Sequence, residues 1–275
     1  MSRGGPLSYL WFPEYGETQL IAILVPVVTT RQRAYLDDSG DAEDWEQTRW
    51  QILAGAIAPL EKWADLENAW RPYCCELRAN GLKDGLHMIE LVQASQIPVR
   101  RREEMIDAMY DLIEQIGAFP FGAAFMGGYS IGTIPGELPH PYDQCVRTCA
   151  RYSATHAAKT LTPGEMLHLF IAYKERHVER AMKVYAEVRE EPVGRWLAPG
   201  VTTGCTPGEV MALQAADLIA YSFGFSLDRH LNSNVNIAAH LAAHAANRLG
   251  TLDTWLEVPE LNGVWKPGRL VLNRG

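Results

Sequence analysis

The 275 residues carry 25 Lys and Arg against 33 Asp and Glu, a formal charge of −8, with 47% hydrophobic and 21% charged residues. These proportions exclude a disordered or membrane-embedded chain. The net negative charge argues against broad, sequence-independent phosphate binding, which depends on Lys and Arg displacing condensed counterions. A local nucleic-acid site stays open, because bound metal ions supply positive charge where it is needed. At this length one elaborated domain is favoured over two small ones, on a scale of about 100–200 residues per domain.

The first thirty residues have no hydrophobic period and are expected to form an N-terminal arm, with Gln19 to Thr30 as an edge strand interrupted by Pro26. The apolar run Leu20 to Val28 is too short to span a bilayer, and Glu14 and Glu17 precede it. Without a basic start or a small-residue cleavage site the expected location is the cytoplasm, with no membrane partner. Five cysteines lack zinc-ribbon spacing and read as reduced, mostly buried thiols.

From Arg33 to Asp38 the residues are strand formers, followed by an acidic loop ending near Glu46. Trp50 to Ile57 suits a second, buried strand joined to the first as a hairpin with a long connection. Leu60 to Tyr73 has helical spacing, Asn80-Gly81 and Asp84-Gly85 offer turns, and Leu86 to Val92 reads as a third strand. Arg102 to Ile116 carries an apolar stripe opposite charges and stops at Gly117, and Phe119 to Met126 reads as a fourth strand. Beyond a Pro- and Gly-rich loop, Tyr142 to Ala158 is expected to be helical. Met166 to Tyr173 suits a fifth strand followed by an amphipathic helix from Lys174 to Arg189, although one long helix over both fits almost as well. Each is preceded or followed by a Thr-Pro-Gly-Glu tetrapeptide (162–165 and 206–209) that reads either as a capping box or as a Pro-Gly turn. Met211 to Leu227 forms a helix, Val235 to Leu249 another ending at Gly250, and Arg269 to Leu272 a final strand.

The fold expected from this order is α/β: a mixed five-stranded sheet flanked by helices, in the ribonuclease H-like order. Its domain spans 31–230, between the arm (1–30) and a C-terminal helical extension (231–275). Two acids stand out within it. Asp37 lies at the end of the first strand, where oxygen ligands for a hard divalent cation are held in a fixed direction. Alternation along the strand turns Asp38 to the opposite face, so both cannot serve one ligand without a bulge. Asp217 lies on or beside the apolar stripe of its helix, where a carboxylate is costly unless paired or metal-bound.

Asp37-Asp38-Ser39-Gly40 resembles the Asp-Glu-Ser-Gly signature that opens a large bacterial and phage domain-of-unknown-function family, and Leu213-Gln214-Ala215-Ala216-Asp217-Leu218 resembles its closing Leu-Gln-x-Ala-Asp-Leu helix. His87 and Glu90 match a His-x-x-Glu-like segment, and the similarity covers about residues 33–230. The resemblance implies a ribonuclease H-like sheet in which Asp37 and Asp217 meet at one edge with Glu90 as third acid. Asp38, which stands where the family usually has Glu, would be a further ligand. The implied cofactor is Mg2+ or Mn2+, the implied partner a nucleic-acid substrate, and the implied setting mobile-element or phage-defence biology. Two cations near 4 Å apart clamp a phosphodiester and activate water, and the mutual repulsion of the acids becomes the metal's affinity. His87 would orient a ligand or the leaving group, and Gln214 would bond near Asp217 from one turn earlier. No acid is present at Met126-Gly127-Gly128, where ribonuclease H has one.

The expectation is therefore a divalent-metal-dependent nuclease with Asp37, Glu90, Asp217 and His87 as catalytic residues; the alternative is a non-catalytic ribonuclease H-like module that binds a protein or nucleic-acid partner. His240 and His244, one helical turn apart, have a spacing that can bind zinc but lack a third ligand nearby, so a helix surface is preferred.

Overall fold

A computed structural model describes residues 29–39, 50–83, 85–126, 140–231 and 239–252, together with short strands at 255–258, 263–266 and 269–272. The expected N-terminal arm, apart from its last two residues, lies outside the described residues, as do the acidic loop beyond Ser39 and the Pro- and Gly-rich loop up to residue 139.

The sheet is built around β1 (Thr29–Ser39) and β2 (Trp50–Pro59), which pair antiparallel. Nearly every residue of β2 is buried, as befits a strand covered on both faces. Its Gly55 is required, since a Cβ there would stand 1.8 Å from the Tyr35 carbonyl oxygen. β3 (Phe119–Met126) adds antiparallel to β2, whereas β4 (Glu165–Ala172) and β5 (Thr202–Cys205) line up parallel on the other side of β1. The mixed core therefore has the order β5-β4-β1-β2-β3.

Helices cover both faces. Tyr35, Ile52, Ala54 and Ala56 point into a core closed by α1 (Leu60–Ala79), α2 (Met88–Gln93), α3 (Val99–Gln115) and α6 (Met211–Leu231). Ala34, Leu36, Leu53 and Ile57 point the other way, against α4 (Pro141–Thr160) and α5 (Val178–Glu190). The alternation along β1 and β2 thus feeds two apolar layers. Among the described residues no helix is long and apolar enough to cross a membrane.

Three expectations need correction. Leu86 to Val92 is not a strand: Met88–Gln93 is the short helix α2, with Met88 and Leu91 buried and Ile89 and Glu90 exposed. A short apolar run cannot be assigned by periodicity alone; here side chains from α6 hold the backbone amides of Leu86 and Met88. The fifth core strand is instead β5, four residues that carry no long apolar run. Nor is the C-terminal extension mainly helical, since the expected strand at 269–272 is present as the last of three. α7 (Ala239–Leu249) packs on α6 and α3, and β6 (Trp255–Val258) joins β3 in parallel, followed by β7 (Gly263–Lys266) and β8 (Arg269–Leu272), which extend the same sheet. The open choice at 166–189 resolves to strand then helix, with the first Thr-Pro-Gly-Glu as a turn in which Gly164 takes a positive φ of 94°.

α3 and α7 run side by side in parallel register, joined by a ladder of charge. His240 Nε2 lies 2.5 Å from Glu103 Oε1, His244 Nε2 lies 3.0 Å from Asp107 Oδ1, and Arg248 reaches Asp107 at 3.1 Å and also Asp111. The i, i+4 histidines are rungs of this ladder, each with its own carboxylate.

Candidate active site

β1 ends beside the C-terminal ends of its parallel neighbours β4 and β5, the rim where open α/β sheets carry their ligands. Asp37 stands at that end of β1, on the face covered by α6, and α6 delivers Asp217 to it. Each residue is only 7% exposed. Asp37 Oδ1 accepts the Asp38 amide at 2.7 Å, and Asp217 Oδ2 accepts the Met88 amide at 2.6 Å. Asp217 therefore satisfies the first free N–H of α2, a role normally played by a local cap.

Gln214 fixes the approach. It is fully buried one turn before Asp217, and its Oε1 accepts from Trp70 Nε1 (2.7 Å), Cys74 Sγ (3.3 Å) and the Leu86 amide (2.9 Å), while its Nε2 donates to the Pro207 carbonyl at 3.0 Å. The turn that brings Leu86 there needs Gly85, with φ of 77°, where a Cβ would lie 2.3 Å from Gln214 Nε2. The amide thus ties α1, α6 and the entry to α2 into one rigid unit, and the following residue, His87, is placed with its Nε2 3.9 Å from Asp217 Oδ1. That separation is an ion-pair distance when the ring is protonated and too long for a hydrogen bond.

Charge makes the acids an uncomfortable pair. Burial pushes the Asp37 carboxyl well above the usual carboxylate range, and the neighbouring Asp217 and Asp38 push it further. Asp217 is pushed up to about 6, chiefly by burial, with His87 and the Met88 amide pulling against it. Two buried carboxyl groups that oppose each other's ionisation make a place where a compensating cation would be favoured.

Asp38 behaves differently. Burial raises it, but the Lys174 ammonium is bound directly to its Oδ2 and opposes that rise. The Asp38 side chain is 3% exposed and that of Lys174 43%. On the same side, Tyr142 near the start of α4 feels Asp38 and Asp37, and its ring stacks on His177 with centroids 4.2 Å apart. Burial and the nearby charges of His140, Lys174, Arg180 and Arg176 lower His177 to about 4, so the ring is neutral at pH 7.

The structure therefore joins Asp37, Asp38, Asp217 and His87 in one locality. Glu90 sits in the first turn of α2 with its side chain in solvent, one turn along from His87. Among the described residues no group of three His, Cys, Asp or Glu side chains is arranged to hold a metal ion. Lys174, Tyr142 and His177 were not anticipated. Lys174 read as the start of an amphipathic helix, and only its position just past the end of β4 hints at a place on the rim. No protein-family model, curated protein or solved structure matches this chain.

Proposed function

We propose that the chain is a divalent-metal-dependent phosphodiester hydrolase acting on nucleic acid, a nuclease of ribonuclease H-like architecture in which Asp37 and Asp217 hold Mg2+ or Mn2+. One observation carries the reading: two acids, from the first strand and from the last core helix, are buried together at the carboxyl end of the parallel strands, where burial raises both and Asp217 adds to the cost of ionising Asp37. Stability alone would not retain such a pair, since a buried like-charge contact opposes folding. The β5-β4-β1-β2-β3 order, with the first strand central and the last core helix crossing to its end, supports the architectural part.

The donor set fits the ion. Mg2+ is commonly held by one or two carboxylates, with water and substrate phosphate completing its octahedron. Bound there, it polarises a phosphoryl oxygen and lowers the pKa of an attached water. The chain's own residues do the rest. Asp37 and Asp217 supply the negative charge, Gln214 and the Met88 amide fix the direction of Asp217, and His87 offers a half-exposed imidazole beside it for orienting a ligand or passing a proton.

A second reading, a non-catalytic module for a protein or nucleic-acid partner, is favoured by the exposure of Glu90 and by the capture of Asp38 by Lys174, which leave two acids for the ion. Labelled single-stranded, duplex and hybrid oligonucleotides incubated with Mn2+ or Mg2+ separate the two. Metal-dependent cleavage lost in folded Asp37→Asn and Asp217→Asn proteins supports the hydrolase; no cleavage and no Mn2+ binding by calorimetry supports the module.

A further inference from the structure

Lys174 is placed by the backbone rather than by chance contact. It follows the last residues of β4, and its carbonyl accepts the His177 amide at 2.8 Å, which folds the chain into a tight turn and directs the Lys174 side chain back over β1. Its ammonium rests on the buried Asp38 carboxylate, while 43% of its side chain stays accessible. An ammonium carries three donors, and one bond to Asp38 leaves others for an incoming anion. Gln51, 2% exposed, is close enough to help stabilise the Asp38 carboxylate, yet neither its Nε2 nor its Oε1 has a hydrogen bond of good geometry. This polar corner is thus built around Asp38 and incompletely satisfied.

We propose that Lys174 is the site's built-in second cation: the acid cluster takes one divalent ion, on Asp37 and Asp217, while the Lys174 ammonium neutralises Asp38 and contacts a non-bridging oxygen of the substrate phosphate. The proposal rests on the hydrolase reading and specifies its stoichiometry. The family resemblance implies two metal ions clamping one phosphodiester; here an ammonium is already bound to Asp38, the carboxylate that would help to hold the second. As a compact point charge, lysine suits phosphate contact without demanding the bidentate geometry of arginine. No bond is made or broken by Lys174, which positions the phosphate and stabilises charge on it.

The experiment is a calorimetric titration of Mn2+ into the full-length protein, its Lys174→Gln and its Lys174→Arg variants, beside oligonucleotide cleavage and thermal unfolding of each. Wild type is expected to bind one Mn2+. Lys174→Gln is expected to bind Mn2+ about tenfold more tightly, or to take a second ion, because an unneutralised Asp38 adds to the negative field. Its cleavage is expected to fall by about a hundredfold. Lys174→Arg keeps the single-ion stoichiometry and part of the cleavage. Tighter metal binding with weaker catalysis is a combination that a merely structural lysine does not produce. The proposal is overturned if wild type binds two ions, or if Lys174→Gln binds Mn2+ as wild type does. Should neither protein bind Mn2+, the hydrolase reading itself falls, and this proposal with it; the two failures are told apart by whether wild type takes up metal.

Discussion

Two charged clusters in this molecule use the same residue types to opposite ends. Along α3 and α7, acids on one helix face histidines and an arginine on the other, rung by rung, in a largely solvated ladder where each acid has a partner across the helices. At the end of β1, Asp37 and Asp217 are buried close enough to oppose ionisation, and among the described residues the one Lys or Arg bound directly to this cluster is Lys174, on Asp38. The ladder can be satisfied by the chain alone. At the acidic pair burial raises the carboxyls instead, and on the proposed reading a metal ion and the Lys174 ammonium would supply the missing positive charge. The difference teaches that a charged residue is informative when its neighbours fail to neutralise it, not when it is merely present.

The widest break in that comparison comes from catalysis. Replacing Asp37 or Asp217 with Asn is expected to lower metal-dependent oligonucleotide cleavage by at least about a thousandfold, whereas Asp107→Asn in the ladder leaves the cleavage rate unchanged; rates under saturating Mn2+ check both.

Proton competition sharpens it. Metal binding needs Asp217 ionised, and its carboxyl is raised to about 6. Mn2+ affinity is therefore expected to fall as pH drops through that value, and to fall more steeply than one proton would make it because Asp37, raised well above the usual carboxylate range, must also be ionised. Calorimetry between pH 5 and pH 8 checks this, and an Asp217→Asn protein with the wild-type affinity and pH profile would show that Asp217 is not a ligand.

Stability should move in opposite directions at the two clusters. A carboxyl raised by folding favours the native state while protonated, so that stability is present below its ordinary pKa and is lost as pH rises to about 6. At pH 7 without metal, Asp217→Asn is thus expected to stabilise the protein by about 1–3 kcal/mol, since the asparagine carbonyl can still accept from the Met88 amide. The advantage should vanish near pH 4; urea unfolding at the two pH values measures it. The smallest effect belongs to the ladder, where Asp107→Asn removes partners of both His244 and Arg248 and should cost about 0.5–1 kcal/mol, less at high salt. An unchanged unfolding midpoint in that variant would show that the ladder contributes register rather than stability.

Much of this was legible in the residues. The long periodic helices and the apolar strands at 33–38, 50–57, 119–126 and 166–173 lie where their patterns place them, because burial against two layers imposes period 2 on strands and near 3.6 on helices. Asp37 and Asp217 were marked by local oddity, an acid ending a strand and an acid on an apolar helical face. The α2 segment was misread for a nonlocal reason: its helical amides are held by Asp217 and Gln214, which are remote in the chain. β5 was invisible because four residues carry too little pattern, and their strand state comes from β4 beside them.

The sequence by itself determined which segments bury and which two acids are out of place among them, since hydrophobic period and the cost of a buried charge are properties of the local chain. Only the tertiary structure decided that the two acids meet, that Asp38 turns away to Lys174 while Glu90 stays in solvent, and that His240 and His244 answer carboxylates on α3. Those facts depend on strand order, on the path of α6 over the sheet and on a turn after β4. Each brings together groups distant in sequence, and Coulomb interactions act on the distance between groups in space.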